Sequence, residues 1–341
     1  MHPGPTNTLL REAGLRVGHA THRDRLTGTT VILCEEGAVA GVDVRGSAPG
    51  TRETALLDPV HLVERVHAVV LSGGSAFGLD AAGGVMEILA GRQVGFPVGG
   101  GRVVPIVPAA ILFDLGRGAV DQPPGREDGA AAVQAALAPP GRGPVPQGNV
   151  GAGTGAVAGG LKGGVGSASV VLEGIGTVAA LVAVNALGLP CDPRTGRLYA
   201  RSLELGEEFG GLADPRPDAP GLPLPDPLEG PAVLGQQTTI GVVATDLPLT
   251  KAQATKVAQM AHDGLARALW PVHTPFDGDV LFALATGRGD PPVAPILTRV
   301  GAAAADAVSR AVIHAILHAE SVGPYPSYLD RLPTARRRGS R

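Results

Sequence analysis

Among the residues that could do chemistry, Thr238 stands out because of what precedes and follows it. Before it lies a stretch with seven prolines from Pro215 to Pro231, where a cut in the chain would disturb little packing. After it comes the apolar, β-branched segment 238–245 (TTIGVVAT), which is typical of a strand and would hold a new N-terminus rigidly. Cleavage at Gln237–Thr238 would give Thr238 an α-amino group with an ordinary pKa of about 7.7 to 8.0. Such an amine can act as base for its own hydroxyl, so no separate histidine is required.

Lys162 is a second candidate because it is the one charged residue in the glycine-rich, apolar run 151–172. A lysine in such a run is either a surface residue that extends its ammonium to water or a buried charge that needs a partner. The glycines of this run, and the triple Gly99–Gly101, match neither a Walker nor a dinucleotide fingerprint. We interpret them as sites of tight turns and close backbone packing, and no nucleotide cofactor is expected.

The last third of the chain carries several potential metal ligands: His262, Asp263, His273, Asp277 and Asp279, with His314 and His318 four residues apart on a predicted helix. No pair among the first five has the spacing of a zinc site. The histidine pair lacks the Glu of a His-Glu-x-x-His frame. The Asp-Gly step at 277–278 is also what a hairpin turn favours. We therefore predict no metal centre and no other cofactor.

The composition limits both the core and the partners. Of the 341 residues, 44% are apolar but only 3% are aromatic, and 51 are glycine, so the core must consist of small aliphatic side chains with closely packed backbones. The formal net charge of −3 gives no support for a nucleic-acid partner. The two cysteines form no metal or disulfide pattern, and we find neither a signal-peptide h-region nor a membrane span. These features predict a cytoplasmic protein without nucleic-acid or membrane partners.

Strand-like and helix-like segments alternate along the chain, as in a layered α/β protein such as a helix–sheet–sheet–helix sandwich. Strands are predicted at 66–71, 168–172, 177–185, 238–245 and 279–286, and helices at about 79–90, 127–137, 251–270 and 298–319. The third helix is predicted to start at a capping box formed by Thr250 and Gln253. The segment 103–115 is apolar but broken by Pro105 and Pro108, which predicts a loop or an edge segment.

Long strings of residues carry a resemblance that covers nearly the whole chain. They are VGHAT (17–21), GVDVRGSAPGTRET (41–54), LSGGSAFGLDAA (71–82), VPIVPAAILFDL (104–115), the run 238–269 and HTPFDGDVLFALATG (273–287). With these strings the chain resembles the L-aminopeptidase/D-esterase (DmpA-like) family, which includes β-peptidyl aminopeptidases and nylon-oligomer endo-hydrolases. Strings of this length are far more specific than a glycine pattern.

The resemblance implies one hydrolase domain over residues 1–341, an α/β fold with a four-layer αββα sandwich like that of the N-terminal nucleophile hydrolases. It also implies autocleavage into an α fragment, 1–237, and a β fragment, 238–341, which stay associated. An exposed Pro-rich linker at 212–235 would lie just before the cut. A homo-oligomer of αβ units is expected.

The resemblance also implies a task for each site residue. Thr238 matches the nucleophile, and Asn185 matches an asparagine that stabilises the oxyanion. Lys162 matches a lysine near the nucleophile, which would lower the pKa of the Thr238 amine. Asp277 and Asp279 match a pair that members fill as Ser-x-Glu or Asp-x-Asp. The Asp form looks like the nylon-oligomer hydrolase branch, with Asp277 expected to hold the Thr238 amine or hydroxyl and Asp279 to support it.

The implied function is an autoprocessed aminopeptidase or amidase that acts on a small peptide or amide through an acyl-enzyme on Thr238. Relatives place Asn or Gly before the nucleophile, whereas this chain has Gln237, and a bulkier neighbour is expected to slow the N-to-O acyl shift. Two alternatives stay open. One is acyl transfer of the ornithine acetyltransferase type, and the other is an uncleaved protein that binds a small ligand in the glycine-rich region.

Overall fold

The structure is a computed structural model that describes residues 1–9, 13–139, 143–219, 221–224, 226 and 237–336. Its strands are β1 (Arg16–His22), β2 (Thr27–Val44), β3 (Gly50–Arg52), β4 (Arg65–Ser72), β5 (Phe96–Gly99), β6 (Arg102–Val104), β7 (Ala109–Ile111), β8 (Val157–Ala158), β9 (Leu161–Lys162), β10 (Gly164–Leu172), β11 (Gly176–Asn185), β12 (Thr238–Thr245) and β13 (Val280–Ala285). Its α-helices are α1 (Ala81–Gly91), α2 (Arg126–Leu137), α3 (Lys251–Ala268), α4 (Ala294–Leu317) and the single turn α5 (Tyr328–Arg331).

The 18-residue strand β2 pairs with different strands along its two halves and so joins two parts of the sheet. Its first half pairs with β1 and β4, and its second half pairs with β13. Between them the register with β4 shifts from Leu33 to Ala38, and Gly37 there has a φ of 76°. A bulge of this kind bends a strand and strengthens its twist, and glycine adopts a positive φ without strain. The pairing path therefore runs β10-β11-β12-β13-β2-β4-β7-β3, with β1 also on β2, and bends at the middle of β2.

Three separate hydrophobic clusters show that the bent path forms two packed sheets. Successive residues of β11 illustrate this: Ala180 and Val182 face a cluster that includes α3 and α4, whereas Ala179 and Leu181 face a second cluster. That second cluster also holds Ile32 of β2 and residues of β4 and β7, so it lies between the two sheets. A third cluster joins β4 and the first half of β2 to α1 and α2. Three cores between four layers make a helix–sheet–sheet–helix sandwich, which confirms the predicted fold class.

Close backbone contacts explain why the chain needs so much glycine and alanine. Where α3 crosses α4, a β-carbon on Gly264 would lie 2.2 Å from the carbonyl oxygen of Ala305. Where β2 passes under α3, a β-carbon on Gly41 would lie 2.2 Å from the amide nitrogen of Thr255. The predicted capping box is present, because Thr250 accepts from the Gln253 amide and Gln253 reaches back to the Thr250 amide. By length and composition α4 could cross a membrane, but 83% of its most apolar window is buried, as in a core helix.

Two predictions about local structure need correction. The segment 103–115 contains β7, which has a neighbour on each side, β4 and β3, so it is not an edge. The prolines allow this because β7 begins after Pro108, whose carbonyl still accepts from the Val70 amide. The Pro-rich stretch 212–235 is not uniformly exposed, since Leu212, Ala219 and Leu224 are buried. Residues 220, 225 and 227–235 of that stretch lie outside the described residues.

Candidate active site

Thr238 lies at the start of β12, between β11 and β13. The antiparallel register of β11 and β12 places Asn185, the last residue of β11, directly opposite Thr238. Cα atoms of such pairs are about 4.5 to 5.5 Å apart. The parallel strand β13 begins beside Ile240, so the two aspartates just before β13 reach the same end of the sheet. The strand ends thus bring Asn185, Thr238, Asp277 and Asp279 together, as their resemblance to family positions predicts.

The carbonyl of Gln237 receives two hydrogen bonds at the predicted cleavage point. The Thr238 hydroxyl donates to it at 2.5 Å, and the backbone N–H of Gly278 donates at 3.0 Å. Glycine is required at 278 because a β-carbon there would lie 2.8 Å from Thr238 Oγ1 and 2.5 Å from the Ala48 carbonyl oxygen. Thr238 itself is only 2% exposed. Donors aimed at a carbonyl oxygen withdraw electron density from its carbon and stabilise an oxyanion there.

The Asn185 side chain is fully buried and held in one orientation. Its Oδ1 accepts from an Arg117 guanidinium N–H at 2.6 Å and from the Val157 amide at 3.1 Å. With Oδ1 fixed by two donors, the amide nitrogen Nδ2 is the donor side, and it donates to the Phe113 carbonyl at 3.1 Å. Arg117 is therefore a residue of the site that the sequence did not indicate.

Asp279 connects the strand that carries the nucleophile candidate to a histidine. Its Oδ1 accepts from the Thr239 amide at 2.6 Å, next to Thr238 in the chain. Its Oδ2 accepts from His273 Nδ1 at 2.8 Å. Asp279 is only 1% exposed, so these N–H donors take the place of water around its carboxyl group.

Asp277 holds the loop that leads into β13. Its Oδ2 accepts from the amide of Thr274 at 2.9 Å and from the Thr274 hydroxyl at 2.5 Å, and its Oδ1 accepts from the Leu187 amide at 3.3 Å. Burial, followed by the adjacent charge of Asp279, raises the pKa of Asp277. The Asp277 carboxyl therefore binds loop atoms, and Asp279 is the aspartate that contacts the strand of Thr238.

Lys162 is a buried charge and not a surface lysine, being 1% exposed. Its ammonium donates to the carbonyls of Gly153, Ala156 and Gly163 at 3.0, 2.9 and 2.8 Å. Three acceptors match the three N–H bonds of an ammonium and favour its charged form. Burial, and then the charge of Arg117, act the other way and lower the pKa of Lys162 to about 7. The glycine-rich segment thus presents three backbone carbonyls to this ammonium group.

Lys162 is linked to Asn185 through one intermediate residue, Val157. It pairs with Val157 across β8 and β9, and the Val157 amide donates to Asn185 Oδ1. Within the part of the chain that the structure describes, the ammonium makes no hydrogen bond to Thr238. Arg117 bridges the same region, since it donates to the Gly155 carbonyl at 2.7 Å as well as to Asn185.

Sequence reasoning missed three contributors to this site: Arg117, His273 as the partner of Asp279, and the backbone amide of Gly278. Two of them lie inside the string HTPFDGD, at its first residue and between its two aspartates, which is a signal that could have indicated them. Arg117 lies in an irregular loop with no distinguishing pattern around it. Two cavities of about 640 and 370 Å³ lie elsewhere and are lined by other residues, such as Arg288 and His318.

The αββα layers are those of the N-terminal nucleophile hydrolase fold. The solved L-aminopeptidase D-Ala-esterase/amidase of Ochrobactrum anthropi, described as a variant of that fold, matches with a TM-score of 0.70. Its sequence identity is 23%, over 97% of this chain and 90% of that chain.

Sequence comparison defines the family more closely. The family model described as Peptidase family S58 matches residues 7–326. The chain therefore belongs to peptidase family S58, and it is a hydrolase of the aminopeptidase type, as its resemblance predicted. An uncharacterized aminopeptidase of Mycobacterium leprae is 45% identical over 97% of this chain and 96% of its own length. A 6-aminohexanoate-oligomer endohydrolase of a Kocuria species is 29% identical over 83% of this chain and 76% of its own length.

Proposed function

We propose that this hydrolase cleaves itself between Gln237 and Thr238 and then uses Thr238 as an N-terminal nucleophile on amide bonds. One observation carries the proposal. The Thr238 hydroxyl lies 2.5 Å from the carbonyl oxygen of Gln237, and the same oxygen accepts the Gly278 N–H. A nucleophile beside a polarised carbonyl is the arrangement that an N-to-O acyl shift requires.

The processing step follows from this geometry. Thr238 Oγ1 attacks the Gln237 carbonyl carbon, and the Gly278 amide stabilises the resulting oxyanion. The bond from that carbon to the Thr238 nitrogen then breaks, and the nitrogen takes up the proton that the hydroxyl gives up. Water hydrolyses the ester, which leaves a carboxylate on Gln237 and a free amine on Thr238.

Turnover then uses the same hydroxyl on an external amide. The Thr238 amine, with an ordinary pKa of about 7.7 to 8.0, accepts the proton from its own hydroxyl. Asn185 Nδ2 stabilises the oxyanion of the tetrahedral intermediate, and Lys162, while protonated, favours the neutral form of the amine. The leaving amine takes the proton, and water hydrolyses the acyl-enzyme. Asp279 holds the start of β12 through the Thr239 amide, and Asp277 keeps the loop before β13 in place.

The substrate that we propose is a small peptide or amide with a free amino terminus. The family is one of aminopeptidases, and the Mycobacterium leprae relative carries that name over almost the whole chain. The paired aspartates are also the form expected of the nylon-oligomer hydrolase branch, and a 6-aminohexanoate-oligomer endohydrolase is among the relatives. Association of the processed units into a homo-oligomer stays a prediction.

Covalent labelling tests the nucleophile. A small acylating probe that reacts with enzyme nucleophiles is expected to add one acyl group to the β fragment. Peptide mapping should place that group on Thr238. Thr238→Ala should abolish labelling, and Thr238→Ser should retain it. Labelling of another residue, or none in a protein that hydrolyses peptides, would contradict the proposed role. Product analysis with excess amine acceptor distinguishes hydrolysis from acyl transfer, because a hydrolase releases mainly the free acid whereas an acyltransferase forms mainly the acylated amine.

A further inference from the structure

His273 makes two contacts to one oxygen of Asp279. Its ring Nδ1 lies 2.8 Å from Asp279 Oδ2, and its backbone N–H donates to the same oxygen at 3.3 Å. The other oxygen of Asp279 accepts the amide of Thr239 at 2.6 Å. A chain of three residues therefore runs from His273 through a buried carboxylate to the residue that follows Thr238.

The surroundings of His273 hold its ring in one position. The ring of His262, from α3, packs edge-on against it, with centroids 4.9 Å apart. His262 Nε2 lies 3.0 Å from the carbonyl of Asp43, and that contact fixes its own tautomer. Nε2 of His273 and Nδ1 of His262 are buried and have no partner among the described residues. Since Asp279 is an acceptor, the proton of a neutral His273 belongs on Nδ1.

The backbone at His273 is in the left-handed region, with a φ of 53°. Residues other than glycine are uncommon there, although histidine, asparagine and aspartate are enriched. This conformation turns the backbone N–H of His273 toward the same carboxylate oxygen as its ring. Such conformations concentrate at functional sites, where the surrounding structure maintains them.

We propose that His273 is a positioning residue for Thr238, which acts by fixing the Asp279 carboxylate; this inference rests on the proposed role of Thr238. With Oδ2 held by the imidazole, Oδ1 points at the Thr239 amide and sets the start of β12. Without that donor the Asp279 carboxylate can rotate away from the Thr239 amide. Its negative charge is then left beside the carboxyl group of Asp277. The first residue of β12 then loses its alignment with the acyl carbon.

The charged and titratable groups around His273 come from three elements. Asp277 and Asp279 precede β13, His262 lies on α3, and Asp43, at the end of β2, contacts His262. Arg45 pairs with Asp43 at the surface. A hydrogen-bond donor at position 273 therefore faces mainly carboxylates. These carboxylates would repel a hydrogen-bond acceptor in the same place.

Three substitutions separate the effect of the side-chain donor from that of the backbone conformation, because all three residues tolerate a positive φ: His273→Asn, His273→Asp and His273→Gly. Asparagine places an N–H near the position of Nδ1, aspartate of the same size places an acceptor there, and glycine places nothing. We expect H273N to keep self-cleavage and kcat within about 3-fold of the parent. H273D and H273G should lose about 100-fold in kcat with little change in KM, as for a nucleophile displaced by about 1 Å. Relative to the parent measured at the same pH, H273D should recover as the pH is lowered, because its introduced carboxyl becomes protonated and can donate.

Equal activity of the three variants would overturn the inference, whether that activity is high or low, because it would show that the donor does not matter. Melting temperatures and KM of each variant are measured alongside, since a merely structural role would lower stability in all three. Thr238→Ala is run in parallel to separate the two proposals. An active T238A would end the proposed function itself, whereas an inactive T238A with an active H273D would end only the role of His273.

Discussion

At the residue scale, the proposed mechanism uses two separate donors for developing negative charge. The Gly278 amide donates to the carbonyl oxygen of Gln237, next to the amide bond that would break in processing. Asn185 lies across from Thr238 on β11 and is oriented by Arg117 and Val157. In the proposed mechanism, the cut that frees Thr238 and the later hydrolysis of substrates can therefore depend on different groups.

Substitution of Asn185 tests that separation. Asn185→Ala is expected to lower kcat toward a peptide substrate by about 100- to 1000-fold, since it removes one oxyanion donor. Self-cleavage should slow much less, because the Gly278 amide remains. The two rates are measured by product release and by gel densitometry of the fragments. Equal losses in both rates would show that one oxyanion site serves both reactions.

Lys162 gives a prediction about stability and pH. Burial lowers its pKa in the folded protein to about 7, from an ordinary value of 10.5. Between these values the unfolded chain binds more protons than the folded one, so the free energy of unfolding rises with pH. The contribution of this group has a slope of up to about 1.4 kcal/mol per pH unit from roughly pH 7 to pH 10. Denaturant titrations of the parent and of Lys162→Met should show that this component is absent in the variant, and identical pH curves would contradict it.

At the element scale, glycines set the distance between layers. Gly264→Ala should destabilise the protein by about 1 to 3 kcal/mol, because its methyl group would meet the Ala305 carbonyl oxygen. Helix propensity alone predicts the opposite sign, by about 1 kcal/mol. Gly91→Ala at the end of α1 is the matched control, since a β-carbon there meets nothing within 4 Å. Thermal melts of both variants check the prediction, and stabilisation by G264A would contradict the packing described for α3 and α4.

Elements with a clear period were predictable, and those defined by long-range pairing were not. The apolar runs of β4, β11 and β12 and the cap of α3 were recognised from local sequence, and their bounds agree within a few residues. The helix predicted at 298–319 begins earlier, at Ala294, because Pro295 suits the first turn of a helix. The position of β7 inside a sheet depends on its neighbours, which local sequence does not show.

The same distinction holds for the site. The resemblance indicated Thr238, Asn185 and the aspartate pair, but no local pattern could give the register that places Asn185 opposite Thr238. The contacts of Arg117 and His273 depend on loops that meet only in the folded chain. Whether Lys162 is buried could not be decided from its flanking residues, since both interpretations suit a lysine among glycines.

At the scale of the whole molecule, the cut would fall inside a continuous set of paired strands. The β fragment would supply β12 and β13, which insert between β11 and β2 of the α fragment. Both interfaces consist of backbone hydrogen bonds and buried apolar side chains, so the fragments should stay together after cleavage. Native mass spectrometry should detect one αβ unit or a multiple of it, and denaturing conditions should separate the two fragments. Spontaneous dissociation in native buffer would contradict this arrangement.

The most direct test of self-cleavage at Gln237–Thr238 is the intact mass of the purified protein under denaturing conditions after prolonged incubation. We predict two species, one ending at Gln237 and one beginning at Thr238, with masses that sum to the full chain plus one water. Thr238→Ala should yield full-length chain alone. Full-length parent protein that never shortens, or a new N-terminus at any residue other than Thr238, would contradict the proposed self-cleavage.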